Sequence, residues 1–183
     1  MKTLLMVLIT ILLLIAVGFV GLTIYVRNHG FSARASPSWV EEKLARNSRR
    51  IVTPAGAKSL KNPYPPTEAG RIEALSRFGE HCAICHGNDG RGNTRIGRNL
   101  YPKVPDMTGT ETQQLTDGEL FYIISNGVRF AGMPASGDEY SPESIWALVG
   151  LVRRLPLLTP EELKEMQKMA EGDESKRETS AEK

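Results

Sequence analysis

From Leu4 to Val26 the chain is an unbroken apolar run of Leu, Ile, Val and small residues. At ~1.5 Å per helical residue this is long enough to cross a ~30 Å hydrocarbon core. Gly30 to Pro37 then has turn-forming composition with no apolar period. Ser38 to Arg46 brings Trp39, Val40, Lys43 and Leu44 back to helical spacing and predicts a short helix. The prolines at 54, 63, 65 and 66 make Ile51 to Pro66 an extended, semi-stiff connection.

Globular patterning begins at Thr67. Thr67-Glu68-Ala69-Gly70 resembles a helix start, and Ile72, Leu75, Phe78 and Gly79 trace one face beyond it. Gly87 to Asn99 is rich in Gly, Asn and Arg and reads as a loop. Thr116-Asp117-Gly118-Glu119 is a capping box, followed by Leu120, Phe121, Ile123 and Ile124 and stopped at Asn126-Gly127. Ser141-Pro142 opens another helix, with Ser at the N-cap and Pro at the first position. Its apolar face is Ile145, Trp146, Leu148, Val149 and Val152, and Arg153-Arg154 complement its carboxyl end. A last short helix is expected from Thr159-Pro160-Glu161-Glu162 to about Ala170, with Leu163 and Met166 as its contacts; disorder is expected beyond Glu171, where the chain is charged and lacks aromatics.

This pattern divides the chain into an anchor at 1–26, a basic Pro-containing linker at 27–66, a helical domain at 67–158 and a short helix with a charged tail at 159–183. The net charge of +2 hides a gradient: +6 over 27–66, −2 over 67–158 and −3 over 159–183. A solvated tether and a segment drawn to anionic headgroups or an acidic partner both fit such a linker. No nucleic-acid partner is expected. A cleavable export signal has an apolar core of about 7 to 15 residues, so the longer run here predicts an uncleaved membrane anchor despite the A-x-A-like Ala33-Arg34-Ala35. Trp39, close behind the anchor, suits a membrane interface, packing on the domain or a partner.

The chemistry is concentrated in His81-Cys82-Ala83-Ile84-Cys85-His86-Gly87, which holds both cysteines and two of the three histidines. Cys82, Cys85 and His86 spell C-x-x-C-H. Two thiols one helical turn apart, with an imidazole next in sequence, suit covalent attachment of a c-type haem with His86 on the iron. Zinc would want four ligands, and a redox dithiol would want a βαβ setting; neither is visible. Downstream, Asn126-Gly127-Val128-Arg129-Phe130-Ala131-Gly132-Met133-Pro134 frames a thioether between Gly and Pro. Met133 is therefore the expected sixth ligand, its soft sulfur favouring the ferrous state. A phosphate-cradling reading of Gly87 to Gly92 lacks the preceding strand and the following Lys-Ser/Thr. No acid/base or nucleophile constellation is apparent.

Taken together, Cys-Ala-Ile-Cys-His-Gly, Gly90-Arg91-Gly92, Leu120 to Gly127, Gly132-Met133-Pro134 and the Trp146 helix resemble a bacterial class I mono-haem cytochrome c over about residues 67 to 158. The resemblance implies an all-α fold wrapped around one covalent haem c, behind a single transmembrane helix. Its first helix would cross its last at Ala74 and Phe78. The carbonyl of Pro102 or Pro105 would accept the Nδ1 proton of His86, and Arg129 would contact a propionate, as the indole of Trp146 or one of Arg91, Arg95 and Arg98 could. It also implies a non-catalytic, one-electron carrier between redox partner proteins, a respiratory complex among them. The location implied is the outer face of the bacterial cytoplasmic membrane, against the cationic residues that follow the anchor. Two variants stay open: a haem enzyme or gas or peroxide sensor in which Met133 dissociates, and a fixed subunit of an oxidase or dehydrogenase.

Overall fold

The computed structural model describes residues 2–30, 32, 36–41, 43–44 and 53–168. The expected disorder beyond Glu171 lies outside the described residues. Two compact units appear, residues 1–35 and residues 36–183. The first is α1 (Lys2–His29), the one helix among the described residues that is long and apolar enough to cross a membrane, with no residue of it buried.

Among its described residues the second unit is built of helices and loops, with no strand. Its named elements are α2 (Ala55–Lys58), α3 (Glu68–Arg77), a wide π-type turn (Phe78–Cys82), α4 (Ala83–His86), α5 (Thr110–Gln113), α6 (Asp117–Asn126) and α7 (Pro142–Arg154). A 3-10 turn at Leu155–Leu157 leads into α8, residues 160–168. The predicted caps form as the side-chain chemistry requires. Thr67 accepts from Gly70 N at 3.0 Å, Thr116 and Glu119 close a reciprocal box, and Ser141 accepts from Ser144 N at 3.2 Å.

The crossing of α3 and α7 centres the core. Ala74, Leu75 and Phe78 from the first side meet Ile145, Trp146, Leu148, Val149 and Val152 from the second, all buried in one cluster. Small residues permit the approach: a Cβ on Gly70 would lie 3.8 Å from that of Ala147. Polar atoms reinforce it, since Glu73 Oε1 accepts from Ser144 Oγ at 2.6 Å and from Arg77 Nε at 2.7 Å. Both donors hold the Glu73 carboxyl below its ordinary range, the Ser144 hydroxyl contributing most. On the other side of α7, Arg153 donates to Asp117 Oδ1 at 2.8 Å, to Gln113 O at 2.8 Å and to Leu115 O. Met166 of α8 is fully buried and closes the cluster.

One segment departs from expectation. Residues 53–60 are not simply extended: Ala57 and Thr53 are buried, and α2 lies against the start of α6. Gly118 makes this possible, because a Cβ there would sit 1.9 Å from Ala57 O. Lys58 Nζ also lies 3.9 Å from Glu119, the capping-box carboxylate. Prolines dominate the sequence pattern of the connection, but Ala55-Gly56-Ala57 is small enough to seat on a bare helix start, and that contact wins. Gly118→Val should therefore expel α2, costing about 1–3 kcal/mol in urea unfolding and speeding tryptic cleavage after Lys58.

Candidate functional site

The π-type turn Phe78–Cys82 carries the chain from the α3–α7 crossing into α4 without breaking the helical path. An extra residue in a helical turn commonly marks a functional position. Here it sets Cys82 beside the core cluster, with Cys85 and His86 following on α4. Both cysteines are free and half-buried. Burial, with a smaller contribution from Cys85, pushes the Cys82 thiol up to about 11. Such a group is a neutral thiol near neutral pH, unlike the low-pKa thiolate of a reactive redox cysteine. His86 is buried, and burial lowers its pKa to about 4, so the ring is a neutral imidazole, the form that ligates metals. Its Nδ1 is buried without a hydrogen-bond partner.

The loop after α4 locks the backbone of this motif. Gly87, at φ +75°, ends the helix. Gly92 N donates to His86 O at 2.6 Å, and Thr94 Oγ1 donates to Ile84 O at 2.9 Å and Cys85 O at 3.1 Å. Gly97 passes so close that a Cβ would stand 2.4 Å from both Cys85 O and Gly92 O. Arg91, Arg95 and Arg98 are exposed; Arg98 spends its guanidinium on Asn93 Oδ1 at 2.7 Å.

The second loop follows α6. Gly127, at φ +64°, turns so tightly that a Cβ would lie 2.6 Å from Met133 O. Val128 N then donates to Met133 O at 3.1 Å, and Ala131 N to Val128 O at 3.2 Å, so residues 128–133 form a pinned turn. Met133 is half-buried and packs on the same core cluster as Cys82. The two loops also meet, since a Cβ on Gly132 would touch the Leu100 side chain at 3.1 Å.

The remaining expected residues fall in varied places. Pro102 and Pro105 are exposed, and neither carbonyl receives the Nδ1 proton of His86. The segment's close approach is made instead by Val104, whose carbonyl lies 2.9 Å from where a Gly92 Cβ would be. Arg129 is exposed on the methionine turn. Trp146 is buried in the core and stacks on Phe121, with centroids 4.5 Å apart and planes 21° from parallel. Sequence reasoning passed over Tyr140, a buried ring that lies 4.4 Å beneath the Arg77 guanidinium and edge-on to His81. Its signal was present: an aromatic just before an N-cap Ser, sharing the core with Ile145 four helical positions in, is a hydrophobic staple.

Two thiols and a neutral buried imidazole with a spare Nδ1 in one run, with a thioether packed on the same core as Cys82, fit a covalently held haem. Among the described residues no cluster of three or more His, Cys, Asp or Glu side chains is placed to hold a metal ion instead. The comparisons agree. A family model described as cytochrome c oxidase, cbb3-type, subunit III matches residues 73–152, which span Cys82, His86 and Met133. Residues 73–152 are thus similar to a cytochrome subunit of that kind.

A curated relative is the Cbb3-type cytochrome c oxidase subunit FixP of Azorhizobium caulinodans, 31% identical over 107 residues. The alignment covers 54% of this chain and 31% of the relative, so the chain spans about a third of that protein's length. Among solved structures, the reducing HAO-like protein complex of Kuenenia stuttgartiensis aligns at 23% identity and a TM-score of 0.47, over 51% of this chain and 47% of that one. Within residues 73–152 the backbone locks on the Cys85 carbonyl leave no room at Gly97. Gly97→Ala should lower stability by about 1–3 kcal/mol in urea unfolding followed by haem absorbance, and should reduce the yield of haem-bearing protein.

Proposed function

We propose that this chain is a membrane-tethered, one-electron carrier that would hold a single haem c, with Cys82 and Cys85 providing the thioether attachments and His86 and Met133 binding the iron. The observation that carries the reading is the buried, neutral His86 directly after two half-buried free thiols set one turn apart. Haem so held supplies a reversible ferric/ferrous couple. The chain's own residues do the rest. Burial keeps His86 unprotonated and ready to bind, and the pinned 128–133 turn limits how far Met133 can withdraw. Arg129 is a cationic donor for a propionate carboxylate, which would be costly to bury unanswered. Trp146 serves mainly as core, stacked on Phe121, and stands as the secondary candidate for that contact.

With His86 and Met133 both holding the iron, no position would be left for substrate, so one-electron transfer is the activity expected rather than turnover. The helix α1 would tether the domain, with the haem on the outer face of the bacterial cytoplasmic membrane and redox proteins as partners. A second reading has one observation behind it: the relative FixP is named as a subunit of a cbb3-type oxidase. On that reading the cytochrome is a fixed component of a larger complex and would remain with its partners through mild detergent extraction.

The axial assignment is tested by Met133→Ala. The variant should keep its covalent haem, lose the far-red sulfur-to-iron charge-transfer band, lower the potential and bind carbon monoxide, all read on the purified protein. A wild-type protein that already binds carbon monoxide readily, or a variant that keeps the far-red band, would contradict Met133 as ligand.

A further inference from the structure

We propose that Thr94 is a positioning residue for the iron: through the backbone of Ile84 and Cys85 it holds the turn that presents His86, and its hydroxyl thereby tunes the reduction potential. The proposal rests on the carrier reading above, with His86 as an axial ligand.

A ligating imidazole is ordinarily steadied through its second ring nitrogen, by an acceptor that fixes the ring. Among the described residues His86 Nδ1 has no such partner. Orientation of the ring therefore falls to burial and to the main chain that carries it, and that main chain is held at every carbonyl of α4. Gly87 N donates to Ala83 O at 2.8 Å and Gly92 N to His86 O at 2.6 Å. The two carbonyls between them share the Thr94 hydroxyl, Ile84 O at 2.9 Å and Cys85 O at 3.1 Å. A helix end leaves its last four carbonyls short of donors. Here two backbone amides and one side chain answer all four, and the side chain is Thr94.

Thr94 is itself fixed at each of its groups. Its hydroxyl accepts from Gly97 N at 2.8 Å and its carbonyl from Arg98 N at 3.0 Å. Its methyl lies 3.6 Å from where a Cβ on Gly87 would stand, so the two branches have separate tasks. A β-branched side chain is stiff about χ1, which keeps the hydroxyl aimed at the motif. No substitute is at hand in the loop, because residues 87–99 contain no other Ser, Thr or Tyr.

The sign of the effect follows from charge. Carbonyl oxygens are the negative end of the peptide dipole, and the Thr94 proton offsets those of residues 84 and 85, immediately before the ligand. Ferric iron carries one more positive charge than ferrous iron. Carbonyls deprived of their donor therefore favour the ferric form and lower the potential, for which hydrogen bonding around the ligands is one of the protein's levers.

The test uses the full chain with its haem attached, in detergent, and intact mass is read first. An unsubstituted chain without covalent haem would overturn the carrier reading and this proposal together; every other outcome bears on Thr94 alone. Thr94→Val should keep the haem, lower the reduction potential and shift the hyperfine-displaced ring protons of His86 in the NMR spectrum of the ferric protein. Thr94→Ser should return both towards the unsubstituted values. Gly118→Val, which disturbs the distant α2–α6 contact, should cost stability and move neither. In the unsubstituted protein the Thr94 hydroxyl proton should exchange with water about tenfold more slowly than that of free threonine, the factor an ordinary hydrogen bond provides. That proton and the serine variant decide the matter where the valine variant does not fold. An unchanged potential and ring spectrum in Thr94→Val, a serine variant that behaves like valine or departs from the unsubstituted protein as far, an equal displacement by Gly118→Val, or a freely exchanging hydroxyl would each overturn the proposal.

Discussion

Phe78 is the residue through which the helix crossing and the thiol–imidazole motif become one mechanical unit. Its ring, 1% exposed, is wedged where α3 meets α7, and its backbone opens the π-type turn that ends at Cys82. Burying a phenylalanine side chain this fully is worth roughly 1.5–3 kcal/mol. That gain therefore fixes the position from which both cysteines and His86 are presented. Ala74, one turn earlier, and Trp146, on the opposing helix, complete the same contact. Loss of the crossing would release the motif along with the core.

The two glycine-rich loops extend that constraint outward. The first clamps the carbonyls of Ile84, Cys85 and His86; the second closes on Met133 through the Val128 bridge. Their contact at Leu100 and Gly132 links the side of the site carrying the imidazole to the side carrying the thioether. Hydrogen bonds to backbone carbonyls and apolar contact do the work that a sheet would do in another fold. What the loops leave open is the outer edge: Ile84 and Phe130 are 59% and 90% exposed, a distribution that suits exchange with something outside the chain.

Much of this was legible in the residues. C-x-x-C-H raises the haem expectation on its own, and the caps at Thr67, Thr116 and Ser141 formed because a hydroxyl before an orphan N–H leaves little choice. The crossing at Ala74 and Phe78 followed from a family likeness and the geometry carries it. Less legible were features set by contacts distant in sequence. Nothing local says that Ala57 will find the bare start of α6. The partner of His86 Nδ1 was expected among the proline carbonyls, yet the nitrogen is unbonded, and it is Val104 whose carbonyl approaches Gly92. Spacing along the chain ranks candidates for such a bond but does not orient a carbonyl.

The account turns on an iron porphyrin joined covalently to Cys82 and Cys85. The direct measurement is the intact mass and visible spectrum of the protein after extraction with acidified acetone, from cells whose haem-ligation machinery is intact. The account predicts a coloured polypeptide heavier than its sequence by one haem. A colourless chain at the mass of the bare polypeptide would contradict it.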